Sequence, residues 1–282
     1  MRIEKILIFF LAALCCSAST NSIRIYKLAQ PRNFPQPKSN VTVTIQGAEL
    51  GKHLFYDPIL SSDSTVSCAT CHQQEHAFSD GRKVSEGVSG ALGKRNAPPL
   101  FNLAWYDTFF WDGRSSSIED QALHPVRSEI EMNSSWPEVE KRINESEFYK
   151  SQFSVIYGDK YIDSNMIASM IGQFERTLIS HNSKFDSVIR GEAIFSKEEF
   201  EGFTIINEQV PARCVICHNT DGHGLGTSGK FSNNGLDVVK SYAEYADQGR
   251  ADKTHKPADA GKFKTPSIRN LRYTAPYMHD GR

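Results

Sequence analysis

Cys68-Ala69-Thr70-Cys71-His72 and Cys214-Val215-Ile216-Cys217-His218 are two copies of one pattern, Cys-x-x-Cys-His. That pattern constrains the chain more than any other feature, because it is the attachment signature of a c-type haem. Two thiols one short turn apart add across the two vinyl groups, and the adjacent imidazole is held under the iron as its proximal ligand. Of the six cysteines, Cys15 and Cys16 lie in an N-terminal apolar segment and the other four fall inside the motifs. None of those four is left over for a structural disulfide. A thioredoxin-like pair or half a zinc site would also read Cys-x-x-Cys. A histidine directly after each second cysteine, twice, argues against both. Two motifs predict two covalent haems, and hence a protein that moves electrons or does redox chemistry.

The N-terminus indicates the compartment. Met1 to Lys5 is a short, weakly positive head, followed by an apolar run from Ile6 to Cys16 and the small residues Ser17 and Ala18. This reads as a leader over residues 1–18, cleaved after Ala18, which sends the chain to the periplasm. The run is too short to span a bilayer comfortably. Lipidation at Cys15 or Cys16 fits less well, given Leu14 before the one and Cys15 before the other. No later segment is apolar enough to predict a transmembrane helix. With 32 basic and 33 acidic residues, the chain offers nothing to nucleic acid. A mature chain of about 260 residues suffices for two small domains. From Asn21 to Asn40 it is polar and punctuated by Pro31, Pro35 and Pro37, which reads as a linker or surface arm.

Self-comparison extends the repeat beyond the haem motifs. Ala97-Pro98-Pro99-Leu100-Phe101-Asn102-Leu103 resembles Thr265-Pro266-Ser267-Ile268-Arg269-Asn270-Leu271. Without a gap, Trp111-Asp112-Gly113-Arg114 then falls on His279-Asp280-Gly281-Arg282. Upstream, Gly51 to Phe55 echoes Gly202 to Ile206. The expected fold is therefore mainly α: two cytochrome c-like domains related by duplication, each with one covalent haem c. Ser196-Lys197-Glu198-Glu199 is a capping box opening a helix through Ile206. Ile167, Met170, Ile171, Phe174 and Leu178 recur at helical spacing, which places Met170 and its neighbour Met166 in a core rather than on a haem iron. Val41 to Ile45 is the one clear patch of β alternation. The polar stretch from His181 to Gly191 is the expected domain border. Ser117 to Gln121 reads as the start of a capped helix after the first Asp-Gly-Arg; the second Asp-Gly-Arg ends the sequence, so by internal symmetry a helix is expected beyond Arg282.

Leu54-Phe55-Tyr56-Asp57-Pro58, Arg95-Asn96-Ala97-Pro98, Phe110-Trp111-Asp112-Gly113-Arg114, Glu131-Met132 and Thr274-Ala275-Pro276-Tyr277 closely resemble the bacterial dihaem cytochrome c peroxidases. That family includes the MauG-type enzymes, which oxidise a partner protein. The resemblance runs from about Gly47 to Arg282. It implies a peroxidatic haem on Cys68, Cys71 and His72, and a six-coordinate electron-entry haem on Cys214, Cys217 and His218. It implies a distal pair, Gln121 to orient peroxide and Glu131 to move a proton between its oxygens, with Trp111 as relay between the haems. Asn96, Thr274 and Pro276 match a calcium site between domains, a weak one built from neutral oxygens. His279 matches a position near the second haem. His223, in a glycine-rich loop, could reach a propionate. His53, His124, His181 and His255 read as surface or structural.

Two departures matter. In many of these peroxidases a loop histidine caps the oxidised N-terminal haem; here the ungapped alignment places Val88 there, and residues 81–95 contain no histidine. The N-terminal haem is thus expected to be five-coordinate and open without reductive activation, with His76 as the one nearby rival. The family's sixth ligand on the second haem, Met in peroxidases and Tyr in MauG, would fall beyond Arg282. The expected organisation is a leader over 1–18, an arm over 19–45, an N-terminal haem domain over 46–185 and a C-terminal one over 186–282 that is incomplete as written. The expected activity is reduction of hydrogen peroxide to water, with electrons from a small cytochrome c or cupredoxin and a homodimer as the family's assembly. The alternatives are MauG-like oxidation of a partner protein, and a dihaem electron carrier without catalysis.

Overall fold

The computed structural model describes residues 22–38, 40–208, 214–219 and 224–282. The expected leader, Cys15, Cys16 and His223 lie outside them. The described chain is mainly helical, with the helices concentrated in its first two thirds. In order they are α1 (Ile45–Tyr56), α2 (Cys68–Cys71), α3 (Ile118–Arg127), α4 (Trp136–Glu145), α5 (Glu147–Tyr157), α6 (Ser164–Thr177), α7 (Lys184–Ile189), α8 (Lys197–Asn207), α9 (Cys214–Cys217) and α10 (Ala251–Thr254). The sheet content among the described residues is one antiparallel pair, β1 (Phe231–Ser232) with β2 (Phe263–Lys264). No described helix is long and apolar enough to cross a membrane.

The core forms where α1 crosses α6. Leu50, Leu54 and Phe55 on α1 are buried with Ile167, Met170, Ile171 and Phe174 on α6. Two glycines set the closeness of that crossing. A Cβ at Gly51 would stand 1.8 Å from the Met170 carbonyl oxygen, and one at Gly47 would overlap the Gln173 amide. That amide accepts from Thr44 N at 2.8 Å, while Thr44 Oγ1 caps the first turn of α1. Met170 is fully buried and Met166 packs against the same cluster, as the helical spacing predicts. The capping box and the N-cap do as expected: Ser196 accepts from Glu199 N at 3.3 Å to open α8, and Ser117 from Asp120 N at 3.0 Å to open α3.

Three stretches behave differently from their sequence. The β patch from Val41 to Ile45 yields only an isolated bridge between Ile25 and Thr44, because Ile45 already opens α1. The proline-punctuated arm is partly buried: Phe34 packs edge-on to Trp105 at 5.1 Å and joins a small cluster with Leu225. The polar stretch from His181 to Gly191 carries α7, whose Asp186 is fully buried. Burial alone would raise that carboxyl's pKa, but hydrogen bonds from Arg269, Ser183 and Asn33 outweigh it and hold it at about 2.

Matched positions of the two sequence copies share backbone conformation. Asn102 and Asn270 have φ of 57° and 59°, Phe110 and Met278 both 64°, and Gly113 and Gly281 68° and 63°. The copies also hold each other reciprocally. Asn96 N donates to the His279 carbonyl and Lys264 N to the Trp111 carbonyl, both at 2.7 Å, and in the ungapped register these bonds are equivalent.

Candidate haem-binding site

Residues 68–71 form a single helical turn, so Cys68 and Cys71 lie three apart on one face and His72 follows directly, its N–H donating to the Cys68 carbonyl at 2.9 Å. The chain then turns back through two consecutive left-handed residues, Ala77 (φ 52°) and Phe78 (φ 61°). Neither is glycine, so the turn is strained. Its result is that the Phe78 carbonyl accepts the His72 Nδ1 proton at 2.8 Å. That bond fixes the tautomer and leaves Nε2 as the free lone pair, the arrangement a ligating imidazole requires. Burial lowers the His72 pKa, with the Phe78 bond opposing, so the ring is neutral. Burial likewise raises both thiols, Cys71 to about 11.

These three side chains line a cavity of about 1220 Å³, above the roughly 300–1,000 Å³ of ordinary small-molecule pockets. Its walls are largely apolar, with Leu60, Val66, Leu100, Phe109, Val126 and Ile171 among them. A large, flat, mostly apolar group that two thiols fix at its edge and whose metal takes one nitrogen ligand fits this space; haem is such a group. The predicted distal pair is brought to the same cavity. Gln121 projects from α3, and the chain doubles back after Pro125, whose carbonyl accepts from Met132 N at 3.2 Å, so that Glu131 also lines the cavity. Gly87 makes the closeness possible: a Cβ there would lie 2.4 Å from the Ile130 oxygen and 2.5 Å from that of Glu131. Burial raises the Glu131 pKa, with Arg114 opposing.

Val88 occupies the core, 5% exposed, with its N–H on the Glu131 carbonyl at 2.8 Å. His76 sits against Gly81 and does not line the cavity; among the described lining residues the histidines are His72 and His279. Trp111 lines the cavity too, and its indole N–H donates to the Asn96 carbonyl at 2.8 Å. His279, expected near the second haem, borders this cavity and stacks on Phe263 with ring centroids 3.6 Å apart. Of the predicted calcium residues, Asn96 lies on the wall with its amide nitrogen on the Arg82 carbonyl at 2.8 Å, leaving Oδ1 as its acceptor. Thr274 is buried, and Pro276 follows a cis peptide bond.

The second motif repeats the first turn locally. Cys214 to Cys217 is again one helical turn, with His218 N on the Cys214 carbonyl at 2.8 Å. His218 Nδ1 is buried and, unlike that of His72, has no hydrogen-bond partner among the described residues. These residues do not border the large cavity.

One cavity residue gave no sequence signal. Glu175 follows the apolar stripe of α6, yet it is 3% exposed, lines the cavity and carries an Oε2 without a partner among the described residues. Burial pushes its pKa up to about 8. The neighbouring Arg176 is taken by Glu119 at 2.7 Å.

The di-haem cytochrome c peroxidase family matches residues 45–194. The methylamine utilization protein MauG of Methylophilus methylotrophus is 32% identical over 90% of this chain and 74% of its own length. The cytochrome c peroxidase Ccp of Escherichia coli K12 is 38% identical over 89% of this chain, which spans 54% of that protein. A crystal structure described as a MauG-like protein associated with microbial copper homeostasis is 33% identical, with a TM-score of 0.82 over 91% of this chain and 79% of its own. The diheme peroxidase BthA of Burkholderia thailandensis, at 21% identity and a TM-score of 0.74, shares the fold. The motifs, the helical architecture and these matches agree: the chain belongs to the di-haem cytochrome c peroxidase family, a family of oxidoreductases with two haem cofactors.

Proposed function

We propose that this chain reduces hydrogen peroxide to water at a haem bound covalently through Cys68 and Cys71 and ligated by His72. The observation that carries this reading is that His72, Gln121 and Glu131 line one cavity, with His279 the other histidine among its described lining residues. A haem held there supplies the iron that binds peroxide and passes on electrons. The protein's own part is proton handling. Glu131 as carboxylate takes the proton from the nearer peroxide oxygen and returns it to the farther one, so that the O–O bond breaks with water as leaving group. Two electrons and two protons complete the balance to two waters. The Gln121 amide orients the peroxide by hydrogen bonding.

The electrons are proposed to come from a small cytochrome c or cupredoxin in the periplasm, through a second covalent haem on Cys214, Cys217 and His218, and past Trp111. A division into an N-terminal haem domain over 46–185 and a C-terminal one over 186–282, related by duplication, is supported by the matched left-handed residues and the reciprocal bonds of Asn96 and Lys264. A calcium ion at Asn96, Thr274 and Pro276, and a homodimeric assembly, are proposed on resemblance to the family.

Val88 favours a second reading. With a core valine in place of the loop histidine the first haem needs no reductive opening, which suits a MauG-like enzyme oxidising residues of a partner protein. Turnover decides between them. The haem-loaded chain is given peroxide and a reduced small cytochrome c, and donor oxidation is followed. Two donor molecules oxidised per peroxide, repeatedly, support peroxide reduction. Peroxide consumed only alongside oxidation of a partner protein's side chains gives the MauG-like reading, and no consumption leaves an electron carrier.

A further inference from the structure

Among the cationic side chains on the cavity wall, Arg95 is committed to Asp112 at 2.6 Å and Asp247 at 2.7 Å, Arg114 to Asp112 at 2.9 Å and Arg282 to Asp237 at 3.0 Å. Lys94 and Lys264 line the same cavity without a carboxylate ion pair among the described residues; Lys94 is exposed to solvent, whereas Lys264 is half-buried. Its ammonium donates to the Thr108 carbonyl and lies 4.3 Å from the centre of the Tyr106 ring and 5.4 Å from that of Phe109. The nearby Asp107 is paired with Lys38. An ammonium has three N–H donors, and one carbonyl and two ring faces do not replace the water that a half-buried cation loses. Burial lowers this lysine to about 8, with Asp107 pulling the other way. Its backbone is held in place by Lys264 N on the Trp111 carbonyl and, just after β2, Thr265 N on the Lys230 carbonyl at 2.8 Å.

We propose that Lys264 binds a propionate carboxylate of the haem held at the first motif. The inference rests on the haem reading above and adds a residue to it. Haem carries its two carboxylates on the edge opposite its vinyl groups, so thiols and carboxylate partners belong on different walls. Cys71 lies by Ser85, Asp80 and Arg82, whereas Lys264 stands with Tyr106, Thr108 and Phe109. A positive charge against the carboxylate stabilises the electron-rich, reduced haem and raises its potential. Because the Lys264 main chain also holds the Trp111 carbonyl, one residue sets the charge at the first haem and the seat of the relay.

The test uses the haem-loaded full chain with Lys264→Gln and Lys264→Arg. Pyridine haemochrome first establishes covalent haem; its absence from the unmutated chain would sink the underlying haem reading, and this inference with it. With haem present, Lys264→Gln is expected to lower the first haem's potential by about 59 mV, a tenfold change in a one-electron equilibrium. The propionate bending band in resonance Raman should shift with it, and the second haem should not move. Lys264→Arg should keep the potential and shift the band, since a guanidinium fork replaces an ammonium. An unchanged potential and band in Lys264→Gln overturns the proposal. Should that variant fail to mature, an unchanged band in Lys264→Arg overturns it alone.

Discussion

The Trp111 indole donates its N–H to the backbone carbonyl of Asn96 at 2.8 Å, and the Asn96 N–H in turn donates to the His279 carbonyl at 2.7 Å. Trp111 is thus held by one copy of the internal repeat, and through Asn96 that copy is tied to the other. A backbone carbonyl is a fixed acceptor with no proton to exchange, so the hydrogen bond orients the ring and leaves its N–H in place.

Trp111→Phe keeps the aromatic packing and removes the donor. The buried Asn96 carbonyl loses a partner, at a cost of about 1–3 kcal/mol in denaturant unfolding. Stopped-flow mixing of the reduced protein with peroxide should show slower electron delivery at unchanged haem content. Equal rates in the variant and the unmutated chain would remove Trp111 from the relay.

In the proposed reaction Glu131 is the base, so it must be ionised before it can accept the peroxide proton. Its pKa is raised by burial, which means that kcat/KM should rise with pH along a limb above the ordinary carboxylate range. Glu131→Gln should lower kcat/KM by roughly 10²–10⁴-fold and abolish that limb. Peroxide titrations across pH, at constant donor, read both.

Asp186 ties α7 to the arm through Asn33 and to the C-terminal segment through Arg269. Its native pKa of about 2 lies below the unfolded value, so its stabilisation is present above the usual carboxylate range and is lost as pH falls towards about 2. Asp186→Asn leaves Arg269 buried without a counter-charge and should cost about 3–5 kcal/mol at neutral pH. The difference should shrink in acid. Chemical denaturation at several pH values checks both the size and the trend.

Glu175 has the opposite sign. Its native pKa of about 8 lies above the unfolded value, so folding is penalised increasingly as pH rises from the unfolded pKa towards 8. At pH 7 the penalty is about 3 kcal/mol. Glu175→Gln should therefore stabilise the protein at neutral pH and leave it unchanged at pH 4. Melting temperatures at the two pH values test this directly.

Local grammar made much of the fold legible. Ser196 with Glu199, Ser117 before α3, and the stripe from Ile167 to Phe174 act within one or two turns, and each is where its spacing predicts. The Cys-x-x-Cys-His motifs are local for the same reason. What stayed hidden depends on contacts far apart in the chain. Asp186 becomes a buried anion only when Arg269 and Asn33 reach it, and Phe34 turns a surface arm into core by meeting Trp105 and Leu225. Glu175 and Lys264 look like solvated charges in sequence; the cavity, built from segments across the chain, is what buries Glu175 and half-buries Lys264. Val41 to Ile45 alternates like a strand but has one bridging partner, so the capped helix at Ile45 wins.

The central claim is a haem on Cys68, Cys71 and His72 whose other face is open in the fully ferric protein. The most direct measurement is the EPR and optical spectrum of that ferric form before and after one equivalent of peroxide. A high-spin ferric signal that disappears at once on adding peroxide, without prior reduction, is the predicted result. Two low-spin haems indifferent to peroxide would contradict it.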